Sequence, residues 1–215
     1  MAVTVAAVAA CSALPPARMG LPETLAAAEP VVVRGLGFGR SGDWRIDELH
    51  GRFERGADRL RGFYLLQNDM AGAGYTLHAG DGATSSARGR GRQTTLTWGV
   101  VAAPLRPWGV ACRWDHGGEL TLAATTHATR DERVGHYRAG GVTLELRSVH
   151  HVQGSPLALE APIGYLLLEQ GRAVGAIELN GSTPRLWRPP AGSPLVRPVI
   201  EAALALALLW DPAGA

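Results

Sequence analysis

Lysine is absent from this 215-residue chain, so all 21 of its basic residues are arginine. With 19 acidic residues the formal net charge is only +2, which argues against strong electrostatic attraction to nucleic acid. A GC-rich genome explains this use of arginine; arginines selected to bind anions in a bidentate manner would instead form a cluster. The nearest cluster is Arg88-Gly89-Arg90-Gly91-Arg92, which we predict to lie in a glycine-rich loop at a solvated hairpin tip.

Cysteine is also scarce, since Cys11 and Cys112 are the only two. Two cysteines so far apart do not make a disulfide framework, and no second pair of ligands supports a zinc site at the C-x3-H spacing of Cys112 and His116. A single cysteine among apolar neighbours usually contributes to packing. We therefore predict that Cys112 is a buried core residue and that the chain holds no metal.

Motifs for catalysis are missing: the sequence contains no H-x-x-x-H, no G-x-S-x-G and no phosphate-binding loop. We predict that His150 and His151 lie exposed at the end of a strand, one on each face. The sequence thus predicts no catalytic residues and no cofactor, and it favours a non-enzymatic protein. An enzyme would need a histidine and a carboxylate or serine to converge in a pocket. It would be excluded if five histidines all point singly into solvent: His50, His78, His127, His136 and His151.

One long apolar segment is present, from Ser193 to Trp210. Ser193 and Pro194 suit a helix start, and its many alanines favour a helix over a strand. The segment is shorter than the ~20 apolar residues that cross a bilayer, and Arg197 and Glu201 form a polar stripe on it. Every other face is apolar, which is typical of a buried helix. We predict a core helix over about residues 194–210.

The remaining chain is rich in turn residues, with 28 glycines and 14 prolines. Alternating apolar residues between these turns predict short strands. We expect ten to twelve of them, including 59–67, 74–78, 94–103 (ended by Pro104), 110–114, 119–125, 142–149, 163–169 and 173–179.

An antiparallel β-barrel, or a strongly curved sheet, best combines these elements. A helix that is apolar on all sides must be surrounded, and an open antiparallel sheet leaves exposed edges. The fold class is therefore all-β with a minor helical part, and residues 30–215 form a single domain around the C-terminal helix. A two-layer packing would require a polar outward helix face. Three tryptophans in apolar settings are predicted in the core: Trp98, Trp187 and Trp210.

The first residues decide the expected location of the protein. Val8-Ala9-Ala10-Cys11 resembles a bacterial lipobox, in which the cysteine is lipidated after cleavage before it. The resemblance implies a leader and flexible linker over residues 1–29, lipid attachment at Cys11, and a periplasm-facing position in the cell envelope with the membrane as partner. The short apolar run, with no basic residue before it, departs from that pattern; a true start further upstream would explain this. The alternative is the N-terminal strand or tail of a cytoplasmic protein.

The end of the chain carries a second resemblance. The series Val174-Gly175-Ala176-Ile177, then Leu186-Trp187-Arg188, then an Ala/Leu helix is similar to the tubby C-terminal-like superfamily with its scramblase-like and LURP-one-related members. This implies a closed β-barrel with a hydrophobic helix threaded through it. The chain lacks the lysine-rich anion site of the tubby group and the acidic loop of calcium-dependent scramblases, so neither activity is expected.

Three hypotheses on function follow. The first is a non-enzymatic binding or structural module of the cell envelope, tethered through Cys11, with no nucleic-acid partner. The second is an envelope enzyme whose site is built from loops, and the third is a soluble cytoplasmic ligand-binding barrel.

Overall fold

The computed structural model describes residues 17–37, 39–62, 66–79, 82–98, 101–127, 130–181 and 183–209. These residues form a nearly closed antiparallel barrel of twelve strands with a helix at the C-terminal end of the chain. The predicted fold class is confirmed. Each strand from β2 to β11 pairs with the next in the chain, and β1 pairs with β12.

The strands are β1 (Val31–Val32), β2 (Ser41–Ile46), β3 (Leu49–Gly62), β4 (Leu66–His78), β5 (Thr84–Trp98), β6 (Val101–Trp114), β7 (Glu119–His127), β8 (Arg130–Ala139), β9 (Val142–Val149), β10 (Gly164–Glu169), β11 (Arg172–Glu178) and β12 (Arg185–Trp187). The helices are α1 (Glu23–Ala26) and α2 (Val196–Leu208).

The barrel is closed by the residues that follow β1. Arg34 and Arg45 of β2 exchange backbone hydrogen bonds of 2.9 and 3.0 Å, and the Val33 N–H donates to the Pro184 carbonyl at 2.9 Å. The two strands at the ends of the meander, β1 and β2, are therefore joined through this short segment. Closure satisfies backbone groups that would otherwise form open edges.

Strands β3 to β6 are longer than their neighbours. Strand β2 pairs with β3 only over Leu49–Glu54, and β7 pairs with β6 only over Gly109–Arg113. The remaining parts of β3–β6 pair only with one another, so this half of the wall extends past the rest of the barrel. The extension lies at the same end as the β11–β12 connection.

Helix α2 occupies the interior of the barrel. Its residues from Pro198 to Leu206 are all buried, with Ala202 and Leu204 at 0% exposure. The predicted core helix is thus confirmed, although it begins at Val196 rather than at Pro194. Ser193 lies before it, where its Oγ accepts a hydrogen bond from the Leu195 N–H at 3.3 Å. Among the described residues, neither helix has the length and apolar content needed to cross a membrane.

The segment before the barrel packs on its outer wall from Ala17 onward. Met19 is 2% exposed and forms a bridge with Val152, and Leu25 of α1 is buried beside it. Together with the outward side chains of β9–β12, which include Trp187, they form a small second core. Trp187 is buried as predicted, whereas the side chain of Trp98 and all of Trp210 lie outside the described residues.

One prediction about local structure is wrong, and one strand was missed. The Arg88–Arg92 stretch lies in the middle of β5, not at a hairpin tip, because its glycines face the crowded interior: a Cβ on Gly89 would overlap Cys112 Sγ. Strand β8 was not predicted, since its charged sequence hides an inward-facing row that includes Arg133 and Tyr137.

Two predicted strands are in fact the ends of hairpins. Residues 94–103 belong to β5 and β6, with Trp98 opposite Val101, and residues 59–67 belong to β3 and β4, with Gly62 opposite Leu66. Between these paired ends both sequences are apolar or glycine, and an apolar run does not reveal where one strand ends and the next begins.

Candidate functional site

A buried carboxylate on α2 is the centre of the main polar network. Glu201 is 0% exposed. Its Oε1 accepts hydrogen bonds from Ser85 Oγ and Arg197 Nε, both at 3.0 Å. Its Oε2 accepts one from Tyr137 Oη at 2.6 Å and lies 3.1 Å from His116 Nε2. A charge in the interior is therefore surrounded by four polar partners.

Each partner is positioned by a different element. Ser85 and Tyr137 occupy inward positions of β5 and β8, where the alternation of a strand directs them at the helix. His116 lies in the tight β6–β7 turn, in which Gly117 adopts a φ of 87° that favours glycine. Arg197 lies one helical turn before Glu201, so both share one face of α2.

A second layer of contacts ties the network to the backbone of α2. Tyr75 Oη donates to the Glu201 carbonyl oxygen at 2.7 Å, and Trp114 Nε1 donates to Tyr75 Oη at 3.0 Å. The Trp114 ring meets Tyr137 edge-on at 5.2 Å between centroids and stacks with His116 at 6.5 Å. Edge-on aromatic pairs add to the stability given by burial.

The phenols of the network are neutral donors. Burial, the hydrogen bond to Glu201 and the charge of Glu201 raise the pKa of Tyr137 well above its usual range. Burial and the same charge raise the pKa of Tyr75. Nearby, burial raises the pKa of the Cys112 thiol to about 12. At neutral pH these groups are protonated, so none of them supplies a nucleophilic anion.

The arrangement is suited to holding α2 in place. An ionised carboxylate offers about four acceptor positions, and four partners surround those of Glu201. Ser85 Oγ donates to Glu201 rather than to His116, and it is fully buried, so it does not form an exposed nucleophile–base pair. His116 and Arg197 are the partly exposed members, with 32% and 45% of their side chains exposed.

A second buried charge lies toward the other end of the barrel. Arg133 is 2% exposed, and its guanidinium lies 4.2 Å from the centre of the Trp108 ring. It also donates to an Asp131 carboxylate oxygen and to Tyr165 Oη at 3.1 Å. The cation is therefore compensated by a carboxylate, a phenol and an aromatic face.

The residues singled out from the sequence do not meet in one site. Cys11 lies outside the described residues. Cys112 is buried as predicted, at 3% exposure, while His116 contacts Glu201 instead of sharing a metal with it. Among the residues that the structure describes, no group of three His, Cys, Asp or Glu side chains is arranged to hold a metal ion.

The histidines differ from expectation at one position. His151 is exposed as predicted, but His150 is 4% exposed, because its ring lies 3.0 Å from the Leu159 carbonyl and 2.9 Å from Ser148 Oγ. His50 and His78 face each other on the outer wall at 5.6 Å between ring centres, and His136 is exposed. The side chain of His127 lies outside the described residues.

The sequence pattern gave no indication of the Glu201 network as a site. One signal was available, because Glu201 is the single acidic residue of α2 and, with Arg197, one of its two charged residues. Its partners are separated from it by 116 residues for Ser85 and 64 for Tyr137, so no local spacing connects them.

No family model, curated protein or solved structure matches this chain.

Open clefts lie on the outside of the barrel. One, of about 470 Å³, lies between residues 20–22 and the wall formed by Arg133 of β8, Arg147 of β9 and the following His150. Another, of about 390 Å³, lies over Gly74, between Arg52 and Arg88. Both are places where the wall, rather than the interior, could receive a partner.

Proposed function

We propose that this chain is a non-enzymatic bacterial cell-envelope lipoprotein whose barrel is a binding or structural module. The observation that carries the proposal is that α2 occupies the barrel interior and that its buried charge, Glu201, is already surrounded by protein partners. Binding is thereby directed to the outer wall. In this proposal Cys11 carries the lipid and holds the barrel at the periplasmic side of a membrane.

The path of the described chain is compatible with such a tether. The Ala17 carbonyl accepts a hydrogen bond from Asn180 Nδ2 at 2.7 Å, so the chain reaches the barrel at the β11–β12 end. Five residues lie between Cys11 and Ala17, so these two residues are at most about 20 Å apart when the chain is fully extended. A lipid on Cys11 would therefore hold this end of the barrel close to the bilayer, and several acyl chains would hold it firmly.

Kinship with tubby-like domains is part of the same proposal. It is supported by the barrel with an internal helix and by the order of the last elements, in which β11 and β12 precede α2. Neither phosphoinositide binding nor calcium-dependent scrambling is included.

Metabolic labelling with a fatty-acid probe tests the tether. The chain should be expressed in a bacterium from its true start, beside a Cys11→Ser variant. We expect label on the parent chain and none on the variant. A parent chain that takes up no label would instead favour the cytoplasmic ligand-binding barrel.

A loop-built envelope enzyme is the second candidate, because His116 and Glu201 converge at one end of the barrel. A fluorophosphonate probe tests its hydrolytic form. Labelling of the parent but not of a His116→Gln variant would establish the enzyme. Equal absence of label on both chains is expected if the network only supports α2.

A further inference from the structure

Four arginines form a compact cationic patch on the outer wall, which we call the arginine face: Arg88, Arg90 and Arg92 of β5 and Arg113 of β6. All four are exposed, whereas Gly89 and Gly91 between them are buried. Alternation therefore places the three β5 arginines in one row, about 7 Å apart. Arg113 lies directly beside Arg88 on the neighbouring strand.

The residues around these arginines are small. Arg88 and Arg90 lie opposite Gly74 and Gly72 on β4, and Arg90 lies opposite Ala111 on β6. Arg92 lies opposite Gly109 on β6 and Met70 on β4. Because all of these neighbours except Met70 have little or no side chain, the guanidinium groups are the most prominent groups on this part of the wall. A flat, extended anionic partner can approach them without a steric barrier.

The arginines of this face are not engaged by carboxylates. Within the described part of the chain, none of its four arginines forms an ion pair. Exposed arginines elsewhere do: Arg52 pairs with Asp43 at 3.4 Å, and Arg147 pairs with Glu145 at 2.6 Å. The outward positions of β4 near the face carry Asn68, Met70 and glycines, with no acid.

The nearest outward acids are Asp115, which follows Arg113 by two residues and accepts hydrogen bonds from the Ser86 hydroxyl and N–H, and Glu119, which lies opposite Arg113. Glu54 and Asp58 are on β3, separated from the face by β4. Glu119 is on β7, where it pairs with Arg138 at 3.5 Å. Positive charge is thus concentrated on β5 and β6 in a protein whose net charge is only +2.

From these observations we propose that the arginine face docks on the anionic phospholipid headgroups of a membrane surface. Guanidinium groups bind phosphate in a bidentate geometry, and a bilayer presents phosphates as an extended layer. Single-stranded nucleic acid is disfavoured because its binding surfaces place aromatic side chains between the basic residues, and the outward positions Gly72, Gly74, Gly109 and Ala111 provide none.

The position of the face also suits this partner. Strand β5 runs toward the end of the barrel at which Ala17 contacts Asn180, so Arg92 is the member of its row nearest that end. Docking through headgroups does not depend on acylation of Cys11. If the tether is also present, the two signals act together, which is how single weak membrane anchors become stable.

Sedimentation with lipid vesicles tests the proposal. The full chain carrying Cys11→Ser, which has no acyl group, is mixed with vesicles of phosphatidylcholine alone or of phosphatidylcholine with an equal amount of phosphatidylglycerol. We expect binding to the anionic vesicles only, and loss of binding as salt is raised. Changing Arg88, Arg90 and Arg92 together to alanine should weaken binding on the order of a hundredfold.

A matched control removes the same charge elsewhere: Arg45, Arg147 and Arg172, which are all exposed, changed together to alanine should alter binding by no more than a few-fold. A single Arg90→Glu variant, checked for an unchanged unfolding midpoint, serves if the triple variant folds poorly, and it should also lose binding. Equal losses in both triple variants, equal binding to neutral vesicles, or tighter binding to an unstructured oligonucleotide than to vesicles would overturn the proposal. Because the tested chain is not acylated, these outcomes are independent of the fatty-acid labelling result.

Discussion

Replacing Glu201 by leucine removes the carboxylate while keeping a side chain of similar volume, so it tests whether this group fixes α2 in the barrel. The hydroxyls of Ser85 and Tyr137 would lose their acceptor in a buried setting. Each orphaned buried hydroxyl costs about 1–3 kcal/mol, so we expect the free energy of unfolding to fall by about 2–6 kcal/mol. Arg197 and His116 are partly exposed and can turn to water, so they add little.

Urea unfolding followed by tryptophan fluorescence measures the change, on the full chain carrying Cys11→Ser. A triple variant, Glu201→Leu with Ser85→Ala and Tyr137→Phe, removes the donors together with the acceptor. It should recover most of the lost stability, because replacing a whole buried polar network by apolar groups is often nearly neutral. Tyr75→Phe is the control for loss of a buried hydroxyl that does not bind the carboxylate, since the Tyr75 hydroxyl contacts the Glu201 backbone and not its side chain.

The reasoning would be refuted if Glu201→Leu stayed within about 0.5 kcal/mol of the parent, the usual range of an exposed substitution. It would also fail if the triple variant were no more stable than the single one. If Glu201→Leu does not fold, Tyr137→Phe alone still tests the network, with an expected loss of about 1 kcal/mol from a single hydrogen bond.

The helix, the core thiol and one surface carboxylate give three further predictions. Leu206→Asp should prevent folding, because an unpaired buried charge costs several kcal/mol, whereas the control Leu206→Met should fold. Circular dichroism distinguishes the two outcomes, and a folded Leu206→Asp chain would contradict the buried helix. Burial raises the pKa of Cys112 to about 12, so in the Cys11→Ser chain this thiol should resist maleimide at pH 8 and react only after urea has unfolded the protein. Rapid labelling of the folded chain would show that the thiol is accessible. Slight burial raises the pKa of Asp115, but hydrogen bonds from the Ser86 hydroxyl and N–H outweigh it and leave the pKa below its usual range. The stability that Asp115 contributes is therefore complete above the pKa of the unfolded chain, about 3.9, and is lost as the pH falls through the pKa of the folded chain. Asp115→Asn should accordingly lower the urea midpoint slightly at pH 7 and not at pH 2; a difference that grows at low pH would reverse the sign argued here.

The elements whose pattern is local could be predicted from the sequence. The Ala/Leu helix and the β10–β11 hairpin follow from residue spacing and turn residues, and the structure has both. A barrel or a strongly curved sheet was expected because the helix is apolar on every face except its Arg197 and Glu201 stripe and has to be enclosed; the structure has a nearly closed barrel. The helix and the hairpin are consequences of neighbours along the chain.

What could not be predicted depends on contacts between distant residues. The glycines of the Arg88–Arg92 stretch favour a loop by composition, yet Gly89 is required in a strand because Cys112 and Leu209 leave no room for a Cβ. Strand β8 was hidden because Arg133 is inward-facing, which is acceptable only where Asp131, Tyr165 and Trp108 surround it. The Glu201 network was missed for the same reason.

The position of α2 after all twelve strands has a consequence for how the chain folds. The strand pairs from β2 to β12 are between neighbours in sequence and can form as successive hairpins, each on a timescale of about microseconds. Helix α2, which fills their common interior, follows all of these strands in the chain. Their inward side chains therefore remain in contact with water until α2 enters the barrel. We expect a late, cooperative step in which α2 enters a set of already paired strands and water leaves the interior. Until that step is complete, the apolar inner wall is the surface most prone to aggregation.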